Sequence, residues 1–276
     1  MNINPVAFRL FSIEVRWYGI LIAIGLVVGI VVSYYILKYR KLKEDEIINF
    51  APFAIIAGIL GARLLHVLVN IGYYSKNPAL IFAYRQGGLA IQGVVIGGFI
   101  ALLVFAKVRK ISFWSYADAI APALAIAQAI GRWGNYFNQE AFGKPTDARI
   151  GIYIAPGNRP NDYLSFEYFH PTFLYESIAN AILFIILILM HYFFRKRPEK
   201  YPSGLIFNAY IIIYSLYRIF IEYYRIDSSY IGNIKVVYVI SIILIIASLI
   251  TSNYLVNKFN IARKVREAEE QDSWKK

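Results

Sequence analysis

Between Gly131 and Gly143 the chain reads G-R-W-G-N-Y-F-N-Q-E-A-F-G, which brings Arg132, Asn135, Asn138, Gln139 and Glu140 into thirteen residues. A guanidinium beside amide side chains suits a phosphate or carboxylate partner, because its planar fork of donors matches two oxygens at once. Glycines at 131, 134 and 143 remove side-chain bulk, so the backbone there can turn sharply or let a ligand approach. The alternative for Arg132 is a capped helix end whose arginine reaches out to water. The segment comes after an apolar run, Tyr116 to Ile130, so its polar residues stand at the edge of whatever buries that run.

Composition says what buries it. Of 276 residues 58% are hydrophobic, above the roughly 45–50% of a soluble domain, which points to a membrane protein. The net charge of +12 sits in short clusters between apolar runs, a pattern expected of loops facing anionic lipid, not of a nucleic-acid binder. No cysteine is present, which excludes a disulfide framework, a thiolate nucleophile and any Cys-based metal or haem site. With only His66, His170 and His191, and no pair at i, i+4, neither a zinc site nor any other metal or cofactor is expected. The first apolar run ends in Lys38-Tyr39-Arg40 without a small-residue cleavage site, so it reads as a span and not a signal peptide.

The expected fold is an all-α integral membrane protein of seven transmembrane helices in a single domain, 1–276. The spans are Trp17–Leu37, Ile47–Val69, Leu89–Ala106, Tyr116–Ile130, Thr172–Phe194, Gly204–Tyr224 and Val236–Leu255, most near the ~20 residues a bilayer needs. Segments 38–46, 107–113, 195–203 and the tail beyond Leu255 carry four, three, four and six Lys/Arg; the alternate segments are longer and more dilute. Cytoplasmic loops are the Lys/Arg-rich ones, which places the N-terminus outside and the tail, 257–276, inside. The longest connection, 132–171, contains Pro145, Pro156, Pro160 and Pro171 and is expected to be an extracytoplasmic lid or arm. Residues 263–276 are expected to be a frayed amphipathic end.

Orientation gives each polar residue a depth. Arg63 lies about 10 Å below the outer mouth of the second span at 1.5 Å per residue. Gln92 stands one turn inside the third, after Gln86-Gly87-Gly88; Arg132 caps the fourth, and Tyr175 and Glu176 open the fifth. Tyr214, Arg218, Glu222 and Arg225 stand at i, i+4, i+8 and i+11, one helical stripe rising to the outer surface. An arginine within a span costs about 2.5–3.5 kcal/mol on insertion scales and persists where it faces a cavity or a partner. Arg63, Arg132 and Arg218 at one level argue for a shared anion site; the alternative is that Arg63 and Arg218 pair with Glu176 or Glu222 as structural glue. Asp118, at the inner end of the fourth span, reads as a helix-start residue near the dipole. Gly93, Gly97 and Gly98 read as helix-packing glycines.

Several segments together resemble the bacterial prolipoprotein diacylglyceryl transferases. The likeness is carried by Gly131–Gly143, by Gly87–Gly97 (G-G-L-A-I-Q-G-V-V-I-G) and by Tyr214–Arg225 (Y-S-L-Y-R-I-F-I-E-Y-Y-R). Arg16–Gly19, Gly61–Arg63 and His170–Glu176 add to it. It implies a bacterial cytoplasmic-membrane enzyme acting in the outer leaflet. Such an enzyme takes the diacylglyceryl group of phosphatidylglycerol, passes it to the lipobox cysteine thiol of a prolipoprotein signal peptide and releases glycerol phosphate. By the likeness Arg132, Asn135 and Gly143 belong to the phosphatidylglycerol site, and Tyr18, Tyr214 and Arg218 are further essential residues. Arg63, Asn138, Glu140 and Glu222 complete the expected lipid-binding set. Many members have a histidine, a proposed general base, where this chain has Gln92, and an amide cannot take a proton at neutral pH. Gln92 is therefore expected to orient the reactants, and the base, if one is needed, is Glu140, a tyrosine, His66 or substrate-bound water.

The attacking thiol belongs to the substrate, which accords with a catalyst lacking cysteine. Other membrane functions fit less well. A transporter predicts an inverted repeat or broken helices near midplane, a retinal-type receptor needs a lysine in the seventh span, and a headgroup phosphatase needs a nucleophile or metal set.

Overall fold

The computed structural model of the chain describes residues 3–83, 87–196 and 200–273. Gln86 of the glycine-rich turn, residues 197–199 of the basic segment 195–203, and residues 274–276 of the tail lie outside the described residues. The elements run β1 (Val6–Leu10), β2 (Ile13–Arg16), α1 (Trp17–Tyr39), α2 (Asp45–Val69), α3 (Ile71–Tyr74), α4 (Ile91–Arg109) and α5 (Phe113–Asn138). Next come β3 (Ile152–Tyr153), β4 (Tyr168–Phe169), α6 (Thr172–Arg195), α7 (Leu205–Glu222), β5 (Tyr230–Ile231), β6 (Ile234–Lys235) and α8 (Val236–Ser273). Among the described residues six helices, α1, α2, α4, α6, α7 and α8, are long and apolar enough to cross a membrane. α5 is 26 residues long but carries too many small and polar residues to join them. The chain gathers into two compact units, Tyr34–Ala117 and the remainder, Met1–Ser33 with Asp118–Lys276.

In the unit Tyr34–Ala117, α2 and α4 meet through small residues. A methyl group at Gly61 or Gly93 would strike the other's backbone, and one at Gly97 would strike the Ala57 carbonyl. The four-residue spacing of Gly93 and Gly97 puts both on one stripe, which lets the backbones approach. Gly98 does not share this role: a methyl there meets nothing within 4 Å, because one residue further turns the helix by about 100°. Arg63, buried in α2, donates to the carbonyls of Ile81 (2.8 Å), Gly87 (2.7 Å), Gly88 (3.0 Å) and Leu80. Its fork thus fastens the connection before α4 onto α2. At the other end of this helix pair Arg109 grips Glu46 with two bonds, 2.9 and 2.7 Å.

In the other unit α5 is the central helix. Ala119, Ala121, Ala123, Ala125 and Ala129 are buried, and Gly25 and Gly29 of α1 lie against Ala127 and Ala123. Leu183 and Leu187 of α6 and Ile206 and Tyr210 of α7 pack with Ala121 and Ala125 into one core. Asp118 does not serve its own helix. It lies in the second turn of α5, buried, and its carboxylate accepts from the backbone of Gly204 (2.8 Å) and Phe207 (3.0 Å), capping α7 from outside. Gly204 there takes φ +103°, which a residue with a side chain resists.

Two parts of this unit depart from expectation. α5 continues to Asn138, so Gly131 and Gly134 are helical and the connection begins at 139, not 132. The turn falls instead on Gln139 and Ala141, with φ of +49° and +54°. The connection then forms a small folded element: β3 pairs antiparallel with β4, and Phe142, Ile154 and Phe169 form its core. The tail, expected to fray beyond 263, continues as α8 to Ser273.

Candidate active site

The polar centre of the unit containing α5 is built from three helix ends. Arg132 comes from the last two turns of α5, Glu176 from the start of α6, and Arg218 and Glu222 from the end of α7, with Arg225 just beyond. Glu176 is fully buried. Its Oε2 lies 2.5 Å from Arg132 Nη2, and its Oε1 lies 3.1 Å from both Arg218 Nη1 and Arg225 Nη1. Arg218 reaches on to Glu222 at 2.7 Å, an i, i+4 pair. Arg225 contacts Glu222 at 3.8 Å and Asp227 at 2.6 Å. Burial disfavours the Arg225 cation, but Asp227, Glu176 and Glu222 outweigh it and hold its pKa above the ordinary value. Lys235 donates to the carbonyls of Glu222 (2.6 Å) and Arg225 (3.3 Å), covering the open end of α7. Burial, with Lys144, Arg225 and Arg218 nearby, holds its pKa below the usual lysine range despite Glu222.

Three guanidiniums therefore meet three carboxylates, Glu176, Glu222 and Asp227, with the Lys235 ammonium on the carbonyls at the end of α7. Of the three guanidinium side chains Arg132 is the most exposed, 26% against 13% for Arg218 and 11% for Arg225. It has donors left over for a ligand.

The frame is held by hydrogen bonds that bear no charge. Ser177 Oγ donates to the Ala129 carbonyl at 2.8 Å, locking α6 to α5 one turn before Arg132. Asn180 donates to the Glu176 carbonyl and accepts from the Tyr217 hydroxyl, both at 2.8 Å. Tyr214 faces the rings of Tyr210 and Tyr217. At the α5 end Glu140 accepts from the side-chain amides of Asn135 (3.1 Å) and Asn138 (3.2 Å). Gly134 leaves room for the Tyr18 ring, which a methyl there would strike.

Gly143 is where the connection threads past the other two helices. Its N–H donates to the His170 carbonyl at 2.8 Å, and its backbone bridges to Arg225. A methyl on it would lie 2.9 Å from His170 Cβ, Thr172 Cγ2 and the Tyr224 carbonyl. Glycine is thus required here by packing. His170 Nδ1 lies 3.0 Å from the Tyr175 hydroxyl, and its ring packs 4.9 Å from that of Tyr224. Burial first, and the Lys144 cation second, hold its pKa below the usual histidine value.

Of the sequence-expected residues, Arg132, Arg218 and Glu222 join one ionic network, and Gly143 touches it through Arg225. Asn135, Asn138 and Glu140 form an adjoining hydrogen-bonded group, and Tyr18 and Tyr214 lie on the same unit. Arg63 and the exposed Gln92 belong to the unit Tyr34–Ala117. Arg218 pairs with both Glu176 and Glu222, whereas Arg63 bonds carbonyls instead. Sequence reasoning passed over Glu176, Arg225 and Lys235 as site residues. The i, i+11 position of Arg225 was its signal; Glu176 was weighed as a partner of Arg218 but not as the point where three arginines converge.

A family model described as prolipoprotein diacylglyceryl transferase matches residues 5–254. Three similar proteins each bear the name phosphatidylglycerol–prolipoprotein diacylglyceryl transferase. That of Acaryochloris marina is 43% identical over 87% of this chain and 86% of its own length. That of Synechocystis sp. is 42% identical over 88% and 86%. That of Clostridium botulinum (strain 657) is 43% identical over 89% and 96%.

Proposed function

Because the chain belongs to the prolipoprotein diacylglyceryl transferase family, we propose that its arginine cluster holds the phosphate of phosphatidylglycerol during transfer. The diacylglyceryl group passes to the lipobox cysteine thiol of a prolipoprotein, the first step of lipoprotein maturation. The observation that carries this reading is the convergence of Arg132, Arg218 and Arg225 on one buried carboxylate. Ionisable residues gathered at the end of membrane-spanning helices pair with one another and mark substrate sites.

In the reaction the substrate thiolate sulfur bonds to the glyceryl carbon that bears the phosphate. The carbon–oxygen bond breaks, and its electron pair leaves with glycerol phosphate. Charge grows on the phosphate as that bond opens, and Arg132 and Arg218 are placed to stabilise it. Asn135, Asn138 and Glu140 position the headgroup beside Arg132, with Tyr18, Tyr214, Glu222 and Gly143 shaping the site. Arg63 holds its loop, and Gln92 orients the reactants. No metal or cofactor is needed for this displacement.

The membrane arrangement belongs to the same reading. Seven spans cross a bacterial cytoplasmic membrane with the N-terminus outside and the tail inside, and α5 is the seventh. Its alanines are covered by neighbouring helices, so its surface need not match lipid in apolarity. The site then opens to the outer leaflet, and the 139–171 element stands over it as an arm. The test supplies purified protein with phosphatidylglycerol and a lipobox peptide. Thioether-linked diacylglycerol on the peptide is the mass expected; folded protein that makes none overturns the reading.

A further inference from the structure

We infer that Glu176 is a positioning residue, the resident counter-ion that holds Arg132, Arg218 and Arg225 together until the lipid phosphate arrives. The inference rests on the transferase reading and adds to it a residue with no reacting atom.

Three observations carry it. First, one carboxylate serves three guanidiniums: Oε2 takes Arg132, and Oε1 takes Arg218 and Arg225. Without its charge these cations repel one another in a poorly solvated place. Second, the dependence is unequal. Arg218 also has Glu222, and Arg225 also has Glu222 and Asp227. Among the described residues Glu176 is the single carboxylate paired with Arg132, the arginine most open to a ligand. Third, the carboxylate is on a fixed mount. The next residue, Ser177, bonds the Ala129 carbonyl of the helix that carries Arg132, and Asn180 bonds the Glu176 carbonyl itself.

The charge balance gives the consequence. Ionised Glu176 offsets one of the three guanidinium charges, and the phosphodiester substrate carries a single negative charge. Without it the cluster would carry one more positive charge, which favours a phosphate monoester, whose charge is about −1.5 to −2 at pH 7, over the diester. Glu176 thus sets the site for the substrate and against retention of the product.

The experiment measures kcat, KM for phosphatidylglycerol, and inhibition by sn-glycerol 1-phosphate for the full chain in detergent–lipid micelles, with the thermal midpoint recorded alongside. Glu176→Gln keeps the shape and removes the charge. Its kcat is expected to fall about 100-fold as the arginines lose their aim. Its inhibition constant for glycerol phosphate is expected to fall at least about tenfold, since one more uncompensated positive charge now faces the product. Glu176→Asp keeps the charge but draws it back by one methylene, so most of the product affinity should return toward wild type while kcat stays low. A folded Glu176→Gln protein with an unchanged or weakened glycerol phosphate constant overturns the inference and leaves Glu176 a purely structural ion. Should that variant not fold, Glu176→Asp decides: wild-type kcat at a wild-type thermal midpoint overturns it. Wild-type protein that neither makes the thioether nor is inhibited by glycerol phosphate defeats the transferase reading itself, a different outcome.

Discussion

Replacing Arg132 by lysine keeps a cation opposite Glu176 and removes the planar fork. In the native site Arg132 spends Nη2 on Glu176 Oε2 at 2.5 Å, and its other nitrogens remain for the phosphate. Lysine has one nitrogen at the end of a flexible stem, and a nitrogen that answers Glu176 cannot also bridge two phosphate oxygens. The stability cost should be the smaller effect, because a cation still faces Glu176 and Arg132 is the most exposed of the three guanidiniums. The catalytic cost should be large. Losing one preorganised donor to a developing oxyanion typically lowers kcat about 10²–10³-fold, or about 2.7–4 kcal/mol. The assay is diacylglyceryl transfer to a lipobox peptide tracked by mass, with the thermal midpoint of the same preparation in parallel. A folded Arg132→Lys protein retaining kcat within about threefold of wild type, under 1 kcal/mol by the same arithmetic, would refute the clamp. It would leave Arg132 as no more than a cation balancing Glu176.

Asp118→Ala should strip two N–H groups at the start of α7 of their acceptor and destabilise the protein by about 2–4 kcal/mol, read from chemical unfolding. KM for phosphatidylglycerol in the fraction that remains folded should not move. Gln92→His should be tolerated with kcat within about threefold if the position orients reactants; a large loss would show that the amide itself is needed. His170 predicts an acid-sensitive fold. Its folded pKa lies below the ordinary value of about 6.5, so as pH drops below that value the unfolded chain takes up a proton that the folded one resists. The thermal midpoint should therefore fall between pH 7.5 and 5.5, and His170→Gln should flatten that slope; an unchanged slope would count against it.

The spans were legible because hydropathy acts on whole segments: an apolar run near twenty residues has few other places to go. The same reasoning is weakest where a helix is shielded by its neighbours. α5 reads as a short span ending at Ile130, since Arg132, Asn135 and Asn138 look like loop residues. In the fold they are the helix's last two turns, and Gly134 serves the Tyr18 ring in place of a turn. The true turn carries Gln139 and Ala141, residue types that announce no positive φ. Asp118 was legible as a helix-start residue but not as the cap of another helix, because a tertiary partner 86 positions away leaves no mark in local spacing. The β1–β2 hairpin and the core of the 139–171 element escaped for a similar reason. Their strands are two to five residues long, too short for periodicity to register.

The proposed chemistry can tolerate an amide at position 92 because the thiol has little to gain from a base. A free cysteine with a pKa near 8.5 is about 3% thiolate at pH 7, so complete deprotonation would raise the rate about 30-fold, or about 2 kcal/mol. The guanidinium groups capture part of that by lowering the pKa of a thiol brought near them. Stabilising the departing phosphate is the larger share, at about 2.7–4 kcal/mol for a single well-placed donor. Two or three guanidiniums aimed at that charge outweigh any base this chain could present. An enzyme built this way depends on keeping three like charges in one place, and the proposed holder of those charges is the buried carboxylate of Glu176.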